Sequence, residues 1–350
     1  MIFVRADANE HIGAGHVMRC KSIAEALTEK GSEVVFVTAD HRGDSLLGGF
    51  PSLCLDSDWQ NMNEELPKLE ELIRINKPSL ILIDSYSVTA KYFSTLRKTV
   101  KTAYMDDLNA ELWSVDCLIN YNIVAPLYDY SRYSGTGTQL LLEPLYAPLR
   151  SEFRVFQQHV IRDKVSDILI SAGGADPAMI TEKIIGTVCP AFSETRFHFV
   201  IGSLNPRIES IKKLSGRNVI LHISECNMSK LMRGCDIAVS AAGSTLYELC
   251  ACGTPTVTYV LADNQTGAAE EFGRLGIMIN AGDCRKNDAL PSVIAEVLRG
   301  MNRDMRSEMS RKMQSLVDGK GAGRIADVII SLAASVCYNF SQCQKFKHRF

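Results

Sequence analysis

Short runs of β-branched and other apolar residues alternate with amphipathic stretches along most of the chain. Such runs fill Ile2–Ala6, Val34–Thr38, Leu80–Ile83 and Thr102–Met105, and again Ile168–Ser171, Phe197–Ile201, Val219–His222, Ile237–Ser240 and Thr256–Leu261. Continuous apolar runs mark strands buried on both faces, and the amphipathic segments between them fit crossover helices. The pattern predicts an α/β protein whose parallel sheets are covered on both sides. The first helix is readable residue by residue. Val17, Cys20, Ala24 and Leu27 recur at spacings of three and four to make one buried stripe, and Gly31 follows where the chain should leave in the left-handed conformation.

The alternation lapses between about Asn122 and Lys164, where Pro126, Gly135, Gly137, Pro144 and Pro148 interrupt it and the polar stretch Gln157–Lys164 precedes the next strand. This predicts two Rossmann-like domains, residues 1–150 and 165–323. Residues 324–350 follow as an apolar helix, Ile325–Val336, and a basic tail, Lys345–Phe350, read as a frayed end. A length of 350 residues agrees, being more than one core usually spans.

Composition narrows the function classes. With 46% hydrophobic and 22% charged residues, disorder and coiled coil are excluded. Thirty-eight basic against 40 acidic residues give a formal charge of −2, so no global basic field draws nucleic acid or anionic lipid, while a local phosphate site stays compatible. No apolar run reaches the roughly 18 residues that a bilayer requires, and the start of the chain lacks the features of a signal peptide, so a cytoplasmic protein without membrane insertion is expected. The 11 cysteines run from Cys20 to Cys343 with no C-x-x-C pair and read as reduced thiols behaving as small apolar residues.

Ligands of open parallel sheets bind at the carboxyl ends of strands, which directs attention to three loops. The first, Asp7 to Arg19, contains Gly13, Gly15 and His16 at the start of the first helix. The glycines permit a tight turn and close backbone approach. A nicotinamide cofactor is disfavoured, although Asp40 stands where a ribose acid would, because Met18 replaces the third glycine of G-x-G-x-x-G and His16 would crowd a pyrophosphate. At a helix N-terminus the dipole favours neutral imidazole, which can act as a general base; the alternative is a histidine that caps or packs.

The second loop, Ser171 to Pro177, offers Gly173, Gly174 and Asp176 before a helix with Pro177 expected in its first turn. This suits phosphate, or else a plain turn with Asp176 as N-cap. The third, Ser240 to Glu248, can hold a diphosphate on Gly243, Ser244 and Thr245 and a ribose diol on Glu248, or be a capped helix. No P-loop and no His/Asp metal-ligand spacing is found, so an ATPase or a metallohydrolase has no support, and neither metal nor cofactor is expected.

Taken in order, Arg5-x-Asp7, Ile12-Gly-x-Gly-His16-x-x-Arg19, Ile83-Asp-x-Tyr86, Asp106-Asp107, Tyr146-Ala-Pro-Leu-Arg150-x-Glu-Phe153, Gly173-Gly-x-Asp-Pro177, Ser240-Ala-x-Gly-Ser-Thr-x-Tyr-Glu248 and Asn264-Gln265 resemble the UDP-2,4-diacetamido-2,4,6-trideoxy-β-L-altropyranose hydrolases of pseudaminic acid biosynthesis, the PseG family. The ordered match covers about Ile2 to Ala334; the chain departs from it at Ser85, where histidine is common. The resemblance implies a glycosyltransferase-B-like fold with two Rossmann-like domains facing a cleft and the nucleotide on the C-terminal one. It implies His16 as catalytic base, with Gly13, Gly15, Arg19, Tyr86, Asn264 and Gln265 about the sugar. The UDP site would be formed by Gly173, Gly174, Asp176, Gly243, Ser244, Thr245 and Glu248. The activity implied is metal-independent, inverting hydrolysis of a UDP-sugar. A glycosyltransferase of the same fold and a non-catalytic nucleotide-sugar-binding protein remain the alternatives.

Overall fold

The computed structural model describes residues 1–9, 11–173, 176–202, 205–214, 216–225 and 227–346, with the backbone alone from 335 onward. The chain divides into two compact units, Met1–Arg150 with Lys320–Phe350, and Ser151–Gly319.

In the first unit the elements follow as β1 (Ile2–Ala6), α1 (Gly15–Glu29), β2 (Val34–Thr38), β3 (Ser52–Cys54), α2 (Met62–Asn76), β4 (Leu80–Asp84), α3 (Ala90–Leu96), β5 (Lys101–Met105), β6 (Cys117–Ile119) and β7 (Gln139–Leu141). The seven strands form a sheet of order β3-β2-β1-β4-β5-β6-β7, parallel throughout. The order reverses between β1 and β4, which opens a crevice at their carboxyl ends. The stripe of α1 is buried as its spacing predicts, and Gly31 adopts φ +83°. Burying Leu27 alone is worth about 1.5–3 kcal/mol. Ile81 and Ile83 of β4 pack with Leu66, Leu69, Ile73, Tyr92 and Phe93 of α2 and α3 on one face of the sheet.

The last helix, which the sequence sets apart, returns to this unit as one element longer than its apolar run. The second unit supplies α4 to α10, so this helix is α11 (Gly321–Phe346), and it packs against α1, β4 and β5. Ala322, Ile325, Ala326 and Ile329 form its buried stripe. Its first residue must be glycine, because a Cβ there would stand 2.2 Å from the Ala147 carbonyl oxygen.

A buried ion cluster ties β1 to α2. Arg5 is fully buried; its Nε and Nη2 donate to the two Glu65 oxygens, both at 2.8 Å, and its Nη1 to Asp7 at 2.6 Å. Tyr92 donates to Glu65 at 2.7 Å, and Asp7 accepts the Ala39 amide at 2.7 Å. The pairing keeps Arg5 protonated: burial opposes its charge, but Asp7 and Glu65 outweigh that and raise its pKa. Removing one charge strands the others, so Glu65→Ala is expected to cost about 3–5 kcal/mol of stability. Urea denaturation that finds a loss under about 1 kcal/mol would contradict this account.

The second unit repeats the plan with β8 (Asp167–Ser171), α4 (Ile180–Thr187), β9 (Arg196–Ile201), α5 (Ile208–Leu214), β10 (Val219–Ile223), α6 (Met228–Gly234), β11 (Ile237–Ala241), α7 (Thr245–Cys252), β12 (Thr256–Val260), α8 (Thr266–Arg274), β13 (Ile279–Asp283), α9 (Leu290–Gly300) and α10 (Arg303–Leu316). Its sheet runs β10-β9-β8-β11-β12-β13, again all parallel, with the reversal between β8 and β11. Ile168, Ile170, Phe197, Phe199, Ile237 and Val257 fill its core.

Among the described residues eight cysteines are thiols and seven of these are buried; Cys54 is half-buried. No described helix is long and apolar enough to cross a membrane.

Candidate functional site

Each reversal point carries a cluster of polar side chains. In the first unit, Ala6 of β1 lies opposite Asp84 of β4, so the loops that follow these residues leave the sheet side by side. The first is shaped by Asn9, whose Oδ1 accepts the amides of His11 and Ile12 at 2.9 and 3.0 Å, and by Gly13 at φ +71°. A side chain added at Gly13 or Gly15 would meet nothing within 4 Å, so space is open over this turn. His16 follows in the first turn of α1.

His16 Nδ1 stands 2.6 Å from Asp84 Oδ1. An ionised carboxylate only accepts, so Nδ1 carries the hydrogen, and the neutral ring then has its lone pair on Nε2. Asp84 is held in turn by Arg19, whose Nε and Nη2 donate to its two oxygens, both at 2.6 Å. Burial alone would raise the Asp84 carboxyl, but the Arg19 guanidinium and then His16 hold it well below the usual carboxylate range. The remaining arm of Arg19, Nη1, donates to Asp107 at 2.9 and 3.0 Å and to the Tyr121 hydroxyl at 3.2 Å.

Tyr86 completes the group. Its hydroxyl donates to Asp107 at 2.7 Å, and its ring meets the His16 ring edge to face with centroids 4.8 Å apart. Burial and then Asp107 push its phenol up, so it stays a proton donor at neutral pH. Ser85 supports the turn between them: its hydroxyl accepts the Ser87 amide at 3.1 Å, and its carbonyl accepts the Tyr104 hydroxyl at 3.2 Å.

The sequence nominates His16, Arg19 and Tyr86, and the fold brings all three into one cluster. Arg19 is nominated as a sugar contact, yet its donors face Asp84, Asp107 and Tyr121, a positioning arrangement. Asp84 receives no role from the sequence, although an aspartate closing the run Leu80–Ile83 at a strand's carboxyl end is the signal that could have found it. Asp107 follows β5 and Tyr121 follows β6; Asp107 stands in the Asp106-Asp107 pair of the sequence but receives no role from it, and Tyr121 carries no local signal.

In the second unit, Ser171 of β8 pairs with Ser240 of β11, which sets the Gly173 and Gly243 loops at one reversal point. Gly173 has φ +79°; Gly174 lies outside the described residues. Asp176 is buried at 1% exposure and accepts the amides of Ile180 and Thr181, the first residues of α4, at 2.9 Å each. Both of its oxygens thus serve the helix, but the N-cap position that the sequence offers it is held by Met179. Pro177, expected in the first turn of that helix, is not part of it, because α4 starts only at Ile180, after Met179 in the left-handed conformation.

Ser244 is the N-cap of α7 and Thr245 its first residue; the Ser244 side chain makes no capping bond and is exposed. The first-turn amides have no acceptor within their helix. Glu248 is half-buried one turn on. Gln265 approaches the same loop: its Nε2 lies 3.9 Å from where a Gly243 Cβ would stand, while its Oε1 accepts the Leu261 amide at 2.9 Å. Asn264 is exposed beside it. Gly243, Ser244, Thr245, Glu248 and Gln265 therefore share one rim of the second unit, and Asn264 and Gln265 belong with the Gly243 loop in that unit.

The absence of metal-ligand spacing in the sequence does not carry over to the fold. His41, Cys54 and Asp56 of the first unit bring donor atoms within 4.8 Å of one another.

No family model matches the chain. It is similar to the spore coat polysaccharide biosynthesis protein SpsG of Bacillus subtilis, 24% identical over 342 residues, which span 93% of this chain and 97% of that one. It is also similar to the pseudaminic acid cytidylyltransferase and UDP-2,4-diacetamido-2,4,6-trideoxy-β-L-altropyranose hydrolase of Helicobacter pylori, 24% identical over 271 residues, or 76% of this chain and 45% of that protein. Among solved structures, MurG of Acinetobacter baumannii superposes with a TM-score of 0.69 at 15% identity, covering 94% of this chain and 99% of its own. The chain has the glycosyltransferase-B fold. The two relatives are named for work on polysaccharide and nucleotide-sugar synthesis.

Proposed function

We propose that the protein is a nucleotide-sugar enzyme that hydrolyses UDP-2,4-diacetamido-2,4,6-trideoxy-β-L-altropyranose to UDP and the free sugar, serving pseudaminic acid biosynthesis in the cytoplasm. The observation that carries the reading is the His16–Asp84–Arg19 chain at a reversal point, a base oriented by a carboxylate that is itself oriented by a cation. The similarity to the Helicobacter pylori protein supports the substrate.

In this mechanism the oxygen of water forms the new bond to the anomeric carbon while its proton passes to His16 Nε2. The bond from that carbon to the diphosphate oxygen breaks, and its electron pair leaves with UDP. One displacement inverts the anomeric centre. The amides of Ser244 and Thr245 and the positive end of α7 receive the charge that grows on the β-phosphate, while the Gly243 amide donates to the Ala241 carbonyl at 2.8 Å and shapes the turn. Glu248 accepts from the ribose hydroxyls, with Asn264 and Gln265 beside the same loop in the second unit, and Tyr86 stands by His16 in the first.

Incubating the protein with a panel of UDP-sugars and following UDP and free sugar by NMR tests the reading. Release from the altropyranose derivative alone is the expected result, and binding without release would make the protein a nucleotide-sugar-binding protein. Glu248→Ala should weaken UDP binding by about 1.5–3 kcal/mol, the range for a hydrogen bond to a charged group. Unchanged affinity by calorimetry would remove Glu248 from the site. Turnover should survive exhaustive chelation, because helix amides serve the leaving group in this mechanism; loss restored by magnesium or manganese would overturn that.

One observation favours a second reading, a glycosyltransferase. Leu108, Leu112, Leu127 and Tyr128 are exposed on two segments joined by the bond from the Asn109 side chain to the Asp129 carbonyl; Leu108 directly follows Asp107, and Asn122, whose side-chain amide donates to Asp107 at 3.3 Å, precedes the second segment. An apolar acceptor could rest there and offer a hydroxyl in place of water. Transfer to an added acceptor outrunning hydrolysis in the same assay would favour it.

A further inference from the structure

The loops after β2 and β3 place three metal-binding side chains together at the edge of the first unit. Thr38 pairs with Cys54, the last residue of β3, and the pairing continues as Leu55 and Ser57 donate to the carbonyls of Thr38 and Ala39. His41, three residues beyond β2, and Asp56, two beyond β3, therefore emerge on the same rim. Cys54 Sγ lies 3.4 Å from Asp56 Oδ1, and a ring nitrogen of His41 completes a group whose donor atoms all fall within 4.8 Å of one another. A fourth side chain stands behind the first: His41 Nδ1 is 2.7 Å from Asp44 Oδ2.

We propose that His41, Cys54 and Asp56 bind one zinc-class divalent cation, with Asp44 orienting His41 and water in the fourth position. One imidazole, one thiolate and one carboxylate make a borderline-soft set that suits zinc and disfavours magnesium and calcium, which take oxygen donors. With metal–sulfur bonds of about 2.3 Å and metal–nitrogen and metal–oxygen bonds of about 2.0–2.2 Å, tetrahedral ligands stand roughly 3.4–3.6 Å apart. The Cys54–Asp56 separation already meets this, and the exposed His41 ring closes the rest by a side-chain rotation. Binding through Nε2 leaves Nδ1–H to donate to a carboxylate, the usual support for a ligating histidine, and Asp44 is at hand to accept it. The thiol proton of Cys54 leaves to solvent as the thiolate takes the metal.

The position gives the ion something to act on. Ala39 donates to Asp7, and a Cβ at Gly43 would lie 3.2 Å from Ala8, so the ligand loop rests on the residues that lead into the His16 turn. Occupancy restrains that turn from the side away from Asp84.

Cobalt substitution tests the site without using turnover, so its outcome is separate from that of the hydrolase reading. Full-length protein titrated with Co²⁺ should take up one ion with a thiolate-to-cobalt charge-transfer band, displaced by one equivalent of Zn²⁺. Cys54→Ser should abolish the band, His41→Asn should weaken binding by at least about 100-fold, and Asp44→Asn by about 10- to 100-fold. No band in the wild type, a band that survives Cys54→Ser and so belongs to another thiol, or unchanged affinity in His41→Asn would each overturn the proposal. Circular dichroism of the variants separates lost ligation from lost folding.

Discussion

His16→Asn should cut turnover by about 10²- to 10⁴-fold, the usual contribution of a positioned acid–base group, while substrate affinity changes little. Asparagine can still meet Asp84 with its amide, so the first turn of α1 keeps its anchor, but it offers no basic nitrogen to the water. In the wild type Nε2 is the only ring nitrogen with a free lone pair once Nδ1–H is engaged at 2.6 Å. Protonating Nε2 removes that lone pair, so the rate must fall as the solution is made more acidic, and the slope should vanish in the variant. Measuring hydrolysis and equilibrium binding for both proteins over a series of pH values separates the base from a packing residue. A folded variant that binds substrate and turns over at near-normal rate would refute the mechanism.

The parts of the fold legible in the sequence are those fixed by local burial. The four apolar runs of the first half and five of the second all form strands, because a run buried on both faces needs no distant information to be recognised. The missed strands are those whose neighbours define them. β3, β6 and β7 are three residues each, and β7 lies within the stretch where the alternation lapses. β13, Ile-Asn-Ala-Gly-Asp, carries Gly282 at φ +109° and a register shift against β12, so its pattern reads as a turn.

The same division holds at the site. Gly13, His16, Gly173 and Gly243 could be nominated because a strand-to-helix loop announces itself within a few residues. Asp84 and Asp107 sit 65 and 88 positions from the arginine that joins them, and only the order in which the strands pair makes them neighbours. Glu65, 60 positions from Arg5, is hidden for the same reason. A charge in the first turn of an amphipathic helix is ordinarily a solvated one, and the burial of Glu65 follows from a fully buried arginine on β1.

Asp84→Asn carries the other large effect, and it tests whether the cluster works as a unit. The substitution is isosteric, yet the amide has one accepting oxygen where the carboxylate has two: its NH2 group must face either Arg19 Nε or the pair His16 Nδ1 and Arg19 Nη2, and no negative charge remains to hold the imidazole as the Nδ1–H tautomer. Loss of a carboxylate that orients a catalytic histidine costs about 10⁴-fold in turnover in comparable arrangements, and a loss on that order is expected. If Asp84 acts only through His16, the double variant with His16→Asn should be no slower than the slower single variant; losses that multiply would show that the two residues act separately. Stability supplies an independent readout. The Asp84 carboxyl is held below its unfolded value, which is about 3.9. It therefore contributes stability that is fully present above that pH and is lost as the pH falls toward the lower folded value. The gap in melting temperature between wild type and Asp84→Asn should be widest near neutral pH and narrow on acidification. A gap that stays constant into the acid range would mean that Arg19 and His16 do not hold the charge of Asp84, and the account of the base would fall with it.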